Sequence, residues 1–348
     1  MTGDATEPSW SEPGAHPVAD CVYRIPLPIP ANALQAVNVY AIVEGSGIVL
    51  IDAGWDCEPA LTQLRASLRE IGAEPGDIRR VLVTHAHRDH YSQATTLRRR
   101  FGTLIAVGLG ERDSFELVHT PGATLNSRHI AALRAAGAGE IADQVAAQFG
   151  THGYALAGWA YPSEWLRPGT ITLPGGRALE AVETPGHTRG HLVFHDTQAR
   201  ILFAGDHVLP RITPSIAFEP EPGRSPLRAF LDSLTSVRRR PDALLLPAHG
   251  PVTSSVHRRV DELLAHHDRR LAESQDALSG TVSTAYEVAR VLRWTRHGRT
   301  LAELDLVNSM LAVLETVAHL QLLELQARIS STELDGITHY SVAVRARA

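Results

Sequence analysis

Lysine is absent from this chain of 348 residues, and all 33 of its Lys+Arg cations are arginine. No ε-amine is available for a Schiff base, for the phosphate-gripping lysine of a P-loop or for the ATP lysine of a kinase. Cysteine is scarce, and Cys21 and Cys57 are too few for a disulfide framework. No unbroken apolar run of about 18 residues offers a membrane-crossing helix. The first 20 residues carry acids and prolines where a secretory signal needs a basic end and an apolar stretch. A net charge of -5 gives no broad basic face for nucleic acid. These absences point to a cytoplasmic globular protein without a membrane partner, led by a flexible segment over residues 1–20.

Histidine is abundant, with 18 copies, so metal or proton-transfer chemistry here is imidazole and carboxylate chemistry. From residue 21 to 54 two β-branched runs split at Glu44 to Gly47 predict a hairpin. Leu61, Leu64, Leu68 and Ile71 repeat at helical spacing. The run Val81-Leu82-Val83 reads as a strand buried on both faces, followed by a helix over 92–100 and a strand over 103–107. Residues 111–167 interrupt this alternation with Ala-rich helices (127–136, 141–148) and an aromatic segment. Strands then resume at 170–173, 177–183, 191–195 and 201–204, with a helix over 227–238 and a last strand over 243–246. Two groups of strands, each followed by helices, predict two sheets packed face to face with helices outside. After Gly250 helices dominate: 256–278, one capped by Ser283 or Thr284 and running to Trp294, and one or two within 301–325. The tail reads as two strands around Asp335-Gly336.

The segment Thr84-His85-Ala86-His87-Arg88-Asp89-His90 follows the buried strand directly. His85 and His87 point to one side of extended chain, and a turn into the next helix brings Asp89 and His90 alongside. A chance H-x-H-x-D-H in this composition has a probability of about 0.002, which makes unrelated surface histidines a poor reading. His187, Asp206 and His249 each sit just past the end of an apolar run. Singly, each would more often be a turn residue. Together with the first motif they give five histidines and two aspartates, enough for two metal ions about 3.5 to 4 Å apart with one bridging carboxylate.

With these residues in place, 21–252 resembles the metallo-β-lactamase superfamily of binuclear hydrolases, whose hallmark is H-x-H-x-D-H followed by separated His, Asp and His. The resemblance implies an α/β fold, the αββα sandwich, with the site at one edge. It implies that His85, His87 and His187 bind one metal, that Asp89, His90 and His249 bind the other, and that Asp206 bridges them. The cofactors expected are two divalent ions, zinc first, with manganese or iron also compatible with oxygen and nitrogen donors. A shared water would lose its proton near neutral pH and attack an acyl or phosphoryl centre, with Asp89 accepting a hydrogen bond from it. The common zinc class of true β-lactamases uses a cysteine and a substrate-binding lysine, both missing here, so β-lactam hydrolysis is disfavoured. Glyoxalase II, other thioesterases, lactonases and the superfamily's ribonucleases fit the aspartate-bridged type better.

Several neighbours keep two readings. Asp52 either orients a ligand histidine or is a plain turn carboxylate. His191 and His207 flank ligand positions and are expected to support ligands or face substrate. His266, His267 and His319 are expected to be solvated or core residues, and Arg88 an outward, solvated one. Residues 253–348 resemble the winged-helix tail of the β-lactamase-like endoribonuclease and thioesterase-like members. Residues 256–348 hold 11 arginines against 12 acids, and 302–325 has four acids and no arginine, so nucleic acid is a poor partner. This part is expected to pack on the hydrolase core or to form a homodimer through Leu311, Leu314, Val317, Leu320, Leu322 and Leu323. The aromatics Tyr154, Trp159, Tyr161 and Trp165 of the 111–167 insertion either wall the metals or glue the insertion to the core.

The leading expectation is a dinuclear metallohydrolase in which a metal-bridging hydroxide cleaves a thioester, ester or lactone of a small acyl substrate. The alternatives are a metal-dependent endoribonuclease or phosphodiesterase, and a non-catalytic regulatory or binding protein that retains its metals.

Overall fold

A computed structural model describes residues 9–343 except 31–33, 46, 121–124, 150–157, 217, 220–222, 224 and 279–282. The first sheet has seven strands in sequential order: β1 (His16–Ala19), β2 (Val22–Pro28), β3 (Ala36–Glu44), β4 (Gly47–Ile51), β5 (Ile78–Val83), β6 (Leu104–Gly108) and β7 (Glu164–Leu166). The second contains β8 (Gly169–Thr172), β9 (Ala178–Glu183), β10 (Leu192–Asp196), β11 (Ile201–Gly205) and β12 (Leu244–Pro247), ordered β12-β11-β10-β9-β8.

Period-two alternation sets the layers. Leu50, Val81, Val83, Ile105 and Val107 pack against α1 (Glu58–Glu70) and α2 (Arg88–Phe101), while Val49, Ile51, Leu82 and Ala106 face the second sheet. In that sheet Phe194, Phe203 and Leu246 point back at the first, and Val193, Leu202 and Leu245 point out at α6 (Pro226–Arg238) and α7 (Val256–Ala277). Helix, sheet, sheet, helix is the αββα sandwich that the sequence implied. It also explains why Val81 to Val83, the second half of β5, reads as continuously apolar, since both of its faces are covered there.

Strands β4 to β7 run parallel, as do β11 and β12, and β9 runs antiparallel to β10, which runs antiparallel to β11. Ligands of α/β sheets gather outside the carboxyl ends of strands. Here the ends of β4, β5, β9, β11 and β12 lead into Asp52, Thr84 to His90, His187, Asp206 and His249. Main-chain bonds lock the two sheets at that edge: Leu192 N–H donates to Thr84 O at 2.8 Å, and Asn38 N–H to Ala248 O at 2.7 Å. Gly205 has φ +51, and a Cβ there would lie 2.7 Å from Thr84 Oγ1 and 2.8 Å from His191 Nε2. Only glycine allows β11 to end this close to β5.

Two expectations are corrected, and one pair of alternatives is narrowed. Strand β1 lies inside the segment 1–20 expected to be flexible. It pairs with β2, and Ala15 N–H donates to Glu70 Oε2 at 2.9 Å, long-range contacts that local composition does not reveal. The 111–167 insertion forms α3 (Arg112–His119), α4 (Leu125–Ala135) and α5 (Gly139–Phe149), but it returns as β7, an edge strand too short to show a pattern. The ring contacts of its described aromatics favour the glue reading. Trp159 is buried with its ring 6.2 Å from Tyr91 and 5.8 Å from Phe115, Trp165 lies 5.5 Å from Phe115, and Tyr161 stacks on His119 at 4.4 Å. They glue the end of the insertion to α2 and to its own first helix, α3. Tyr154 lies outside the described residues.

The C-terminal residues form α7, α8 (Ala285–Val291), α9 (Leu306–Leu325) and a hairpin of β13 (Ile329–Leu334) and β14 (Ile337–Val342). Thr284 caps α8 in a capping box with Glu287. The winged-helix reading rests on this element order alone. Leu314, Leu320, Leu322 and Leu323 of α9 are buried in one cluster with Leu133, Val145, Phe230 and Leu234, and Leu311 and Val317 pack against its edge. Of the two uses expected for this face, packing on the hydrolase core is the one observed. By length and composition α9, although not an unbroken apolar run, could also cross a membrane, but 61% of its most apolar window is buried inside the protein.

Candidate metal centre

The seven expected donors converge into two groups, His85, His87, His187 and Asp206 in one, and Asp89, His90 and His249 in the other. Asp206 addresses both. Its Oδ2 lies 3.5 Å from His187 Nε2, and its Oδ1 lies 3.5 Å from His249 Nε2 and 3.7 Å from His90 Nε2. Asp89 Oδ2 lies 3.4 Å from His249 Nε2 and 3.7 Å from His90 Nε2, and His87 Nδ1 lies 3.1 Å from His187 Nε2.

The opposite edge of each ring is anchored. His90 Nδ1 pairs with Asp52 Oδ2 at 2.9 Å, His85 Nδ1 with Thr84 Oγ1 at 3.0 Å, His187 Nδ1 with Ser215 O at 2.8 Å and His249 Nδ1 with Ala36 O at 2.9 Å. These partners fix ring orientation and leave Nε2 as the free donor. The Nε2 atoms of His85, His90 and His249, and Asp206 Oδ1, are buried without a hydrogen-bond partner. Buried polar atoms normally have partners, and four converging orphans, all nitrogen or carboxylate oxygen, fit divalent cations.

Asp52 therefore orients a donor histidine. It adopts φ 60, is buried, and also accepts Thr84 N–H at 2.8 Å, so it joins the end of β4 to the start of the His-rich turn. His191 acts on Asp206: its Nε2 accepts the Asp206 N–H at 3.2 Å while Nδ1 pairs with Thr184 Oγ1 at 2.8 Å. His207 neither supports a donor nor faces substrate. It is buried with its ring 5.2 Å from Phe230, on the helical side of the sheet. Arg88 is exposed, as expected, and lies 4.6 Å over the ring of Trp55.

Burial holds the His85 and His187 imidazoles below their ordinary range and brings His87 down to about 3. Burial alone would lower His90 too, but Asp89, Asp52 and Asp206 push it up to about 10. Asp206 and Asp89 likewise raise His249 against burial. Burial would raise both aspartates, yet the surrounding imidazoles hold them below the usual carboxylate range. Carboxylates and imidazoles thus compensate one another, and a bound cation takes over the role of the protons between them.

Two carboxylates gave no signal in the sequence. Glu111 accepts a hydrogen bond from Thr188 Oγ1 and from the Ala86 backbone, and Glu219 accepts Arg189 N–H at 2.8 Å and Ser114 Oγ–H at 3.0 Å. Glu111 straps the two histidine-bearing turns together, and Glu219 ties the turn after His187 to α3. Burial, reinforced by their mutual repulsion, pushes Glu111 up to about 8, and burial pushes Glu219 up to about 7. Phe218 was also missed. Its ring lies 5.9 Å from that of His87 and 5.3 Å from His129 of α4. A cavity of about 310 Å³ beside Gly186, Arg189 and Glu219 is lined by none of the seven donors, so it does not define the reactive space.

A two-sheet sandwich with this donor set at its edge defines a metallo-hydrolase. The profile of the metallo-beta-lactamase superfamily matches residues 33–249. The chain belongs to the metallo-beta-lactamase superfamily. It is 25% identical over 326 residues to the "Probable metallo-hydrolase YqjP" of Bacillus subtilis (strain 168), covering 88% of this chain and 93% of the relative, a span too long to be confined to residues 33–249. Among solved structures, a beta-lactamase domain protein from Burkholderia ambifaria is 28% identical with a TM-score of 0.75, covering 94% of this chain and 93% of that one. A metallo-beta-lactamase family protein from Thermus thermophilus, 24% identical with a TM-score of 0.72 and covering 93% and 99%, shares the fold.

Proposed function

We propose that this metallo-hydrolase is dinuclear and cleaves a thioester, ester or lactone of a small acyl substrate. The observation that carries the reading is Asp206, which turns one carboxylate oxygen to each donor group. His85, His87 and His187 would hold one divalent cation and Asp89, His90 and His249 the other, with Asp206 shared. The donor set suits zinc, and manganese or iron as well. When bound, such a pair supplies Lewis acidity and an activated water near neutral pH.

The protein's own groups do the positioning. Asp52, Thr84, Ser215 and Ala36 keep four imidazole rings from turning. Asp89, held ionised by His90 and His249, would accept a hydrogen bond from the attacking water. His191 fixes the backbone from which Asp206 projects. Phe218 beside His87 gives an acyl group an apolar neighbour.

Two observations favour an acyl substrate over RNA. The apolar face of α9, the helix that would read nucleic acid in a winged helix, is buried in the core. The segment around it carries acids and no arginine, a poor surface for phosphate. Cys21 and Cys57 are free, which suits a cytoplasmic setting. Assaying metal-loaded protein against acyl thioesters, lactones and single-stranded RNA in parallel tests the reading. Turnover of a thioester or lactone is expected; turnover of RNA alone would reverse the substrate class, and no turnover of any would leave a metal-retaining binding protein.

A further inference from the structure

A second meeting of ligand-type side chains lies between α7 and α9, outside the seven-donor centre. His266 and His267 are consecutive on α7, Glu315 is on α9, and one donor atom from each lies within 4.8 Å of the others. One turn beyond Glu315, His319 donates its Nδ1–H to the Glu315 carbonyl oxygen at 2.8 Å. That bond sets the tautomer of neutral His319, leaving Nε2 as an acceptor, and Nε2 lies 3.2 Å from His267 Nδ1. His267 must then carry its proton on Nδ1 and a bare lone pair on Nε2.

His267 is fully buried, and its Nε2 has no hydrogen-bond partner. A buried lone pair with no donor is costly, and an imidazole whose other nitrogen is tied into a hydrogen-bond chain is the usual form of a metal ligand. We propose that His266, His267 and Glu315 form an additional cation site, for a divalent transition metal such as zinc, cobalt or nickel, which ties α7 to α9 while His319 holds His267 in its ligating tautomer.

The surroundings agree. Burial lowers His266 to about 4, His267 to about 2 and His319 to about 4, so all three imidazoles are neutral, as ligation requires. Burial pushes Glu315 up to about 7 against the opposing pull of Arg270. The nearby guanidinium of Arg270 is engaged elsewhere, 4.5 Å over the Trp294 ring, with Nη1 donating to Glu273 Oε2 at 3.0 Å. Two nitrogens and one carboxylate suit zinc-like ions and leave a position for water.

The test is native mass spectrometry of the full chain, stripped of metal and reloaded with excess Zn²⁺, against Glu315→Gln and His266→Gln. Both variants alter half-buried side chains and keep approximate shape, and metal-free thermal melts of all three proteins check that folding is retained. The expected result is one more ion per wild-type chain than in either variant, together with a larger rise in Tm on adding Zn²⁺ to wild type. Equal ion counts in the three chains would overturn the site.

Discussion

Asp206 Oδ1 and His249 Nε2 face each other 3.5 Å apart, both buried and neither hydrogen-bonded. Two polar atoms brought this close by strands β11 and β12, each held from behind, form a donor pair that fits a divalent cation. His249 is braced by Ala36 O, and the Asp206 backbone by His191.

The bracing is itself testable at Asp52. Asp52→Asn keeps the size of the side chain but removes the carboxylate that accepts from His90 Nδ1. Losing such a partner costs about 10- to 100-fold in metal affinity or activity. Competition with a chromophoric chelator should show a drop of that order in Asp52→Asn. An affinity equal to wild type would return Asp52 to a plain turn residue.

Glu111 and Glu219 give a pH dependence whose sign is fixed. Both have raised folded-state values, about 8 and about 7, so between pH 4.5 and these values the folded chain binds more protons than the unfolded one. The contribution of this pair to the stability of the metal-free protein therefore falls as pH rises through this window and levels off above it. Glu111→Gln removes the larger contribution. Its melting temperature relative to wild type should rise between pH 5.5 and pH 9, and a constant difference would refute the assignment.

Much of this arrangement was legible in the sequence, and the reason is local. Val81 to Val83 announces a doubly covered strand, and the donors that follow it lie within six residues of one another. His187, Asp206 and His249 were legible because each follows an apolar run that ends at the same edge. Glu111, Glu219 and Phe218 were not, because single residues brought in by tertiary packing leave no spacing to read. Strand β7, three residues at a sheet edge, is too short to alternate detectably, and the burial of α9 depends on α4 to α6, which a helical period cannot specify.

Packing of the insertion separates glue from lid. Trp159 sits between Tyr91 and Phe115, its ring 6.2 Å from the first and 5.8 Å from the second. Trp159→Ala should cost about 3 to 5 kcal/mol, as for other buried aromatics, read as a lower denaturation midpoint. Below that midpoint kcat/KM should stay near wild type for short and long acyl substrates alike. A selective loss for one chain length would make the aromatic cluster a substrate wall.

The central claim, that one carboxylate serves two cations, is tested most directly by counting metal in Asp206→Ala. Metal analysis of purified, reloaded protein should show the variant falling below the occupancy of wild type at the seven-donor centre, to fewer than two ions there, with hydrolysis lost alongside. Running the comparison in the Glu315→Gln background keeps the α7–α9 site out of the count. A variant that retains the wild-type number of ions would contradict the shared role of Asp206.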